Sequence, residues 1–211
     1  MYLSKTDLVN TEKVRRLNII NSISGIKPGN LIGTRSNAGQ ANLAIISSVV
    51  HLGSNPAYLG FIVRPSEEVR RHTQENILDN GWFTINHIRT SFIKNAHYTS
   101  AKFDHAVSEF DACGLTEETL YDFHAPFVKE STLKIGLRHV EDVVIQSTGT
   151  TMIVGQIEHL VVPDEAINKQ GYIDLGVADG VGISGLNSYY KLEKVADFPY
   201  ARVSEVPDFS K

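Results

Sequence analysis

Three short apolar runs near the start of the chain stand too close together for parallel pairing. Leu31-Ile32-Gly33-Thr34 closes on the polar cluster Ser36-Asn37-Ala38-Gly39. Leu43 to Leu52, rich in Ile and Val, ends at Gly53-Ser54-Asn55-Pro56, and Tyr58 to Val63 stops at Arg64-Pro65. Runs of this length bounded by Gly, Pro, Asn and Ser read as strands. Parallel neighbours need a crossover of a dozen or more residues, usually a helix. None of these connections is that long, so the sequence predicts an antiparallel meander of three strands.

The rest of the chain supports a mainly β fold with helices. Residues 5–23 hold a short helix, with Val14, Leu17 and Ile20 or Asn21 at helical spacing. Residues 66–79 form another, with Ser66 as N-cap, Glu67 and Glu68 in the first turn, and Val69, Thr73, Asn76 and Ile77 on one face. Asn80-Gly81 ends it, and Trp82 to Ile88 returns to strand character. From 91 to 128 the pattern is irregular, with helical pieces around 91–97 and 108–113. Two long β segments, 132–147 and 150–162, flank Thr148-Gly149 as a hairpin able to close a sheet into a barrel. The last fifty or so residues read as loops, short strands and a surface tail. This order does not alternate as a doubly wound sheet would. No repeat or linker interrupts it, so residues 1–211 are expected to form one domain.

Composition excludes several classes of function. A net charge of −4 gives no general pull toward nucleic acid or anionic lipid. The lone cysteine, Cys113, rules out an internal disulfide and any Cys-based zinc or iron–sulfur site, and is expected to be buried and inert. The opening residues lack the apolar core of a signal peptide, and no later stretch is long enough to span a bilayer. The expectation is a cytoplasmic protein with neither a nucleic-acid nor a membrane partner. Eight histidines are scattered without metal-ligand spacing, so no metal site is expected.

Two constellations bear on chemistry. At Arg64-Pro65-Ser66 a strand ends on a cation just before a helix start, where free N–H groups suit a phosphate. An ordinary capped helix with solvated arginines explains the same residues, and taken alone is the commoner case. Thr34, Asn42, Ser47 and Ser48 place small polar groups around two apolar strands, as a flat heteroaromatic ring requires, although strand-edge chemistry also accounts for each singly. Gly180-Val181-Gly182-Ile183-Ser184-Gly185 matches the dinucleotide fingerprint by letter. Too little chain follows for the required helix and second strand, so it reads as a glycine-rich loop.

Taken together, Lys27-Pro28-Gly29-Asn30 to Thr34, Asn42 to Gly53, Gly60-Phe61-Ile62-Val63-Arg64-Pro65, Arg71 to Ile77 and Phe83-Thr84-Ile85-Asn86 resemble the flavin reductase-like family. Ala96-His97-Tyr98-Thr99-Ser100-Ala101, Ser108-Glu109-Phe110 and Gly185 to Tyr190 resemble its flavoredoxin-like branch. The likeness covers roughly 27 to 200. It implies an FMN-binding split β-barrel that forms a homodimer with flavin near the interface. By that likeness Thr34, Asn42, Ser47, Ser48 and Val49 approach the ring and ribityl chain, and Arg64, Ser66, His72 and Thr73 the phosphate. His97, Tyr98, Thr99 and Lys102 are placed near the cofactor as well. The implied activity is electron transfer from NADH or NADPH to FMN and on to an acceptor. One departure is visible. Many flavin reductases carry Gly-Asp-His before the last barrel strand, with the histidine associated with the nicotinamide, whereas Gly149-Thr150-Thr151 stands here. That keeps open an FMN carrier reduced by a redox partner protein. A pyridoxamine-phosphate-oxidase-like or haem-handling barrel, or a binding protein without flavin, ranks lower.

Overall fold

The computed structural model describes residues 1–66 and 70–210. Two helices open the chain, α1 (Lys5–Asn10) and α2 (Lys13–Ser22), where the sequence predicts one. The break falls at Thr11-Glu12 because each helix has its own start. Ser4 and Asp7 form a capping box for α1, and the Glu12 carboxylate accepts from the Val14 and Arg15 amides of α2. Neither helix buries a residue.

The strands follow as β1 (Lys27–Pro28), β2 (Asn30–Arg35), β3 (Ala41–Ile46), β4 (Val50–Ser54) and β5 (Ala57–Val63). Next come α3 (His72–Asn80), β6 (Trp82–His87), a 3-10 turn at Thr90–Phe92, α4 (Ile93–Tyr98) and α5 (Glu109–Cys113). The short strands β7 (Glu117–Glu118) and β8 (Phe127–Val128) lead to the long hairpin β9 (Lys134–Ile145) and β10 (Thr150–Val161). A final hairpin, β11 (Val181–Ser184) and β12 (Ser188–Lys191), pairs with β1.

Seven strands form one antiparallel sheet in the order β3-β2-β6-β9-β10-β5-β4. This corrects the three-strand meander. The run from Leu43 to Leu52 is two strands, broken at Ser47-Ser48-Val49, and they occupy opposite edges of the sheet. Four residue steps from Ile46 to Val50 span at most about 14 Å. The edges of a flat seven-stranded sheet would lie about 29 Å apart. The sheet therefore curls until its edges nearly meet, and the chain crosses the remaining gap at the two serines. Ser48 anchors the crossing. Its hydroxyl accepts from the Ile62 amide at 3.0 Å and reaches the Ile62 carbonyl at 3.3 Å.

Side-chain alternation along β2 confirms the curl. Ile32 enters a cluster with Phe61, Phe83, Ile85, Leu137 and Ile153, drawn from five strands and filling the barrel. Its neighbour Leu31 points the other way, against Phe92, Ala96 and Phe110 of the outer helices. Gly155 makes room for the Phe83 ring, since a Cβ there would lie 2.8 Å from Phe83 Cε1.

Two further expectations shift. The helix α3 begins at His72 rather than Ser66, with Arg71 at its N-cap and no side-chain cap. Glu67, Glu68 and Val69 lie outside the described residues. Arg70, just ahead of the helix, turns its guanidinium onto Glu75 at 3.0 and 2.6 Å. The far end of α3 matches expectation, with Gly81 left-handed at φ 79° and its N–H on the Ile77 carbonyl. The glycine-rich stretch 180–185 is largely the strand β11, not a loop, and turns at Gly185 with φ 61°.

Candidate functional site

A cavity of about 770 Å³ opens where the barrel is split. Its floor is the end of β3 and the crossing, with Asn42, Ala44, Ile46, Ser47 and Ser48. The end of β5 adds Ile62, Val63 and Arg64, and the start of α3 adds Arg70, Arg71, His72 and Thr73. Thr99 and Lys102 enter from the segment after α4, and Ile20, Asn21 and Ser24 of the α2 region reach it from outside the barrel.

The floor is held by a buried polar network. Asn42 Nδ2 donates to Thr34 Oγ1 at 3.2 Å and to Thr73 Oγ1 at 3.0 Å, and Asn76 Nδ2 donates to Thr34 Oγ1 at 3.0 Å. Thr34 is fully buried, so it acts on the cavity through Asn42. Glu109, at the start of α5, accepts from the Leu43 amide at 2.9 Å and fixes β3 from the outer side. Burial pushes its carboxyl above the usual range, against the pull of that amide.

The lining is electropositive. Among the described residues of the lining, Lys27, Arg64, Arg70, Arg71 and Lys102 stand against the one carboxylate of Glu109. Arg70 is paired with Glu75, and Lys27 Nζ donates to the Asn21 carbonyl at 2.6 Å. Arg71 Nε is buried with no hydrogen-bond partner among the described residues. His72 packs edge-on against His105 with centroids 4.8 Å apart. Burial, then the neighbouring His105, holds the His72 imidazole below its usual value.

Of the residues singled out from sequence, Asn42, Ser47, Ser48, Arg64, His72, Thr73, Thr99 and Lys102 line this cavity, with Thr34 behind it. Val49 instead packs against the barrel interior, and Ser66 does not line the cavity. His97 and Tyr98 lie in an adjoining cleft of about 610 Å³, which shares Asn187 with the main cavity. There His97 Nδ1 is 2.9 Å from the Tyr189 hydroxyl. Sequence reasoning missed Arg71, Glu109, Thr150 and Asn187, although Arg71, Glu109 and Asn187 sit inside the segments that carry the resemblance and Thr150 in the stretch that departs from it. Among the described residues no group of three or more His, Cys, Asp or Glu side chains could hold a metal ion, and no helix is long and apolar enough to cross a membrane.

Comparison with known proteins places this geometry. Residues 26–178 match the model of the flavin reductase like domain. A protein of Shewanella frigidimarina, assigned as a flavin reductase with a split barrel domain, is 48% identical, with 95% of this chain and 100% of that one covered and a TM-score of 0.91. Flavoredoxin from Methanosarcina acetivorans is 24% identical over 85% of this chain and 91% of its own, with a TM-score of 0.71. Nitrilotriacetate monooxygenase component B from Bacillus cereus is 16% identical, covering 94% and 98%, with a TM-score of 0.80. These last two speak to the fold alone. No curated protein matches the chain. The split barrel and the extent of the match together establish that the chain belongs to the flavin reductase-like family.

Proposed function

We propose that the protein is an FMN-dependent oxidoreductase that takes electrons from NADH or NADPH and passes them to an acceptor. The observation that carries this reading is the cavity at the barrel split, where strand-borne amide and hydroxyl groups meet a cluster of cations. The buried, unpartnered Nε of Arg71 tests the fit, because a phosphate oxygen would supply the acceptor it lacks among the described residues. Bound flavin would supply hydride acceptance and release at its ring. The chain's own part is to hold and orient. Asn42, tethered by Thr34 and Thr73, presents a fixed amide beside Ser47 and Ser48. Arg64, Arg71 and Lys102 balance the charge of a phosphate, and Ile20, Ile45 and Ile46 exclude water from an apolar ring.

A second reading rests on Thr150. It lines the cavity between Gly149 and Thr151, and Thr151 stands where the Gly-Asp-His of many flavin reductases has its histidine. The alternative is an FMN carrier reduced by a partner protein, in keeping with the flavoredoxin name of one structural relative. An anaerobic absorbance spectrum of FMN-loaded protein, before and after NADH or NADPH, separates the two. Prompt bleaching supports the reductase. Bound flavin that stays oxidised until a ferredoxin-like donor is added supports the carrier, and failure to hold FMN refutes both.

The homodimer belongs to the same proposal. β6 pairs with β9 as far as Arg138 and the His139 amide still donates to the Gly81 carbonyl, but beyond it no strand among the described residues pairs with β9 on that side. Val140, Val143, Val144 and Ile145 are exposed there, on both faces of the strand, and Val50 and Leu52 are exposed on β4. A free edge carrying apolar side chains is a template for association, and a second copy is the occupant we assign to it.

A further inference from the structure

The cleft beside the main cavity has its own chemistry. His97 lies between two tyrosines, with ring centroids 5.5 Å from Tyr98 and 5.8 Å from Tyr189, both edge-on. The Tyr189 hydroxyl engages Nδ1 at 2.9 Å, so the imidazole is fixed in orientation, and Nε2 has no protein partner among the described residues. Lys94, one turn earlier on α4, also lines the cleft and enters no ion pair among the described residues. Asp179, held against the cleft residue Thr90, is already engaged by the Thr90 hydroxyl at 2.8 Å and by Arg89 at 3.3 Å. Aromatic edges, one uncommitted cation, a free imidazole nitrogen and the Asn187 amide therefore converge on one opening.

We propose that this cleft is a second binding site, which takes a planar aromatic anion and delivers it to the main cavity past Asn187. Aromatic rings prefer edge-to-face or offset contact with the tyrosines. The carboxylate or phosphate of the ligand meets Lys94 and His97. Two sources share that chemistry, an adenine nucleotide portion of a dinucleotide and a free aromatic carboxylate. For its use in electron transfer the inference rests on the flavin reading of the main cavity. For binding it does not.

The test is calorimetric titration of AMP and, separately, of benzoate into both flavin-free and FMN-loaded protein. One probe is expected to bind. Lys94→Gln, at an exposed position, should weaken it about tenfold, the loss of one charge-assisted contact. Tyr98→Ala, also at an exposed residue, should weaken it without loss of folding. FMN affinity, read by quenching of flavin fluorescence, should stay within about twofold in both variants, because neither residue lines the main cavity. AMP binding assigns the cleft to a nucleotide, and benzoate binding to an aromatic acid. Absence of binding by both probes at millimolar concentration overturns the proposal, as does binding undiminished in Lys94→Gln. A protein that fails to hold FMN but still binds a probe would sink the flavin reading and leave this one standing.

Discussion

Thr34→Val removes a single oxygen from the barrel and should expose how the cavity floor is held. The valine is nearly isosteric, so no cavity opens and the whole effect lies in hydrogen bonding. Thr34 Oγ1 accepts from Asn76 Nδ2 at 3.0 Å and from Asn42 Nδ2 at 3.2 Å, and all three residues are buried. Asn42 keeps Thr73 at 3.0 Å, whereas the Asn76 amide loses its only side-chain bond among the described residues. A buried donor left unpaired costs about 1–3 kcal/mol, so one full loss and one partial loss give about 2–4 kcal/mol. For a chain of this size that lowers Tm by about 4–16 °C. Urea unfolding should show a lower midpoint at unchanged slope. In Thr34→Val/Asn76→Leu, where both ends of the lost bond are apolar, the cost should be less than the sum of the single variants. FMN affinity should fall in Thr34→Val, since Asn42 has lost one tether. A variant within about 0.5 kcal/mol of the parent, with additive double-variant behaviour, would refute the network as the cavity's support.

Other perturbations follow from the same geometry. Arg64→Ala should weaken FMN binding about tenfold or more, read by fluorescence quenching, and equal affinity would remove Arg64 from the phosphate assignment. Burial pushes His87 from 6.5 down to about 4, so its stabilising contribution is complete above pH 6.5 and is lost as the pH falls toward 4. That loss is at most about 3 kcal/mol, less because the ring keeps part of its surface in solvent, and the urea midpoint of His87→Gln should fall less steeply over this range. Glu109 has the opposite sign, since its carboxyl is raised by burial, and Glu109→Gln should gain stability relative to the parent as the pH rises past the carboxylate range. Val144→Lys should yield a monomer by sedimentation while leaving the fold intact, and a chain already monomeric before substitution would remove the dimer from the proposal.

What the sequence could show was local. The β9/β10 hairpin, the end of α3 at Gly81 and the helical pieces that became α4 and α5 are written in turn residues and short-range periodicity. The split at Ser47 was not, because Leu43 to Leu52 has strand character throughout and only a pairing choice between distant strands divides it. The start of α3 was misplaced for a similar reason, with the Arg70–Glu75 pair outside the helix register that Ser66 would have set. In the site, resemblance brought the right segments together but could not sort them by face. His97, Tyr98 and Thr99 are consecutive, yet successive residues at a helix end point in different directions. So Thr99 lines the main cavity and its two predecessors the neighbouring cleft.

The crossing at Ser47 and Ser48 explains why the cavity lies where it does. A barrel whose edges are joined by only a few residues cannot complete its hydrogen-bond ladder between β3 and β4, so backbone groups remain for a ligand at that seam. The inner cluster is aliphatic and aromatic and the buried Thr34, Asn42, Thr73 and Asn76 beside it are uncharged, so charge comes from segments outside it. α3 and the stretch after α4 bring Arg71 and Lys102, and the β11–β12 turn brings Asn187. Of these segments α3 also enters the inner cluster, where Ile77 packs with Ile32, Phe61, Phe83 and Leu137. On the proposed function, the seam and the cations beside it would hold the cofactor, and Thr150 and the Lys94–His97 cleft mark where the outer wall would select an electron donor or acceptor.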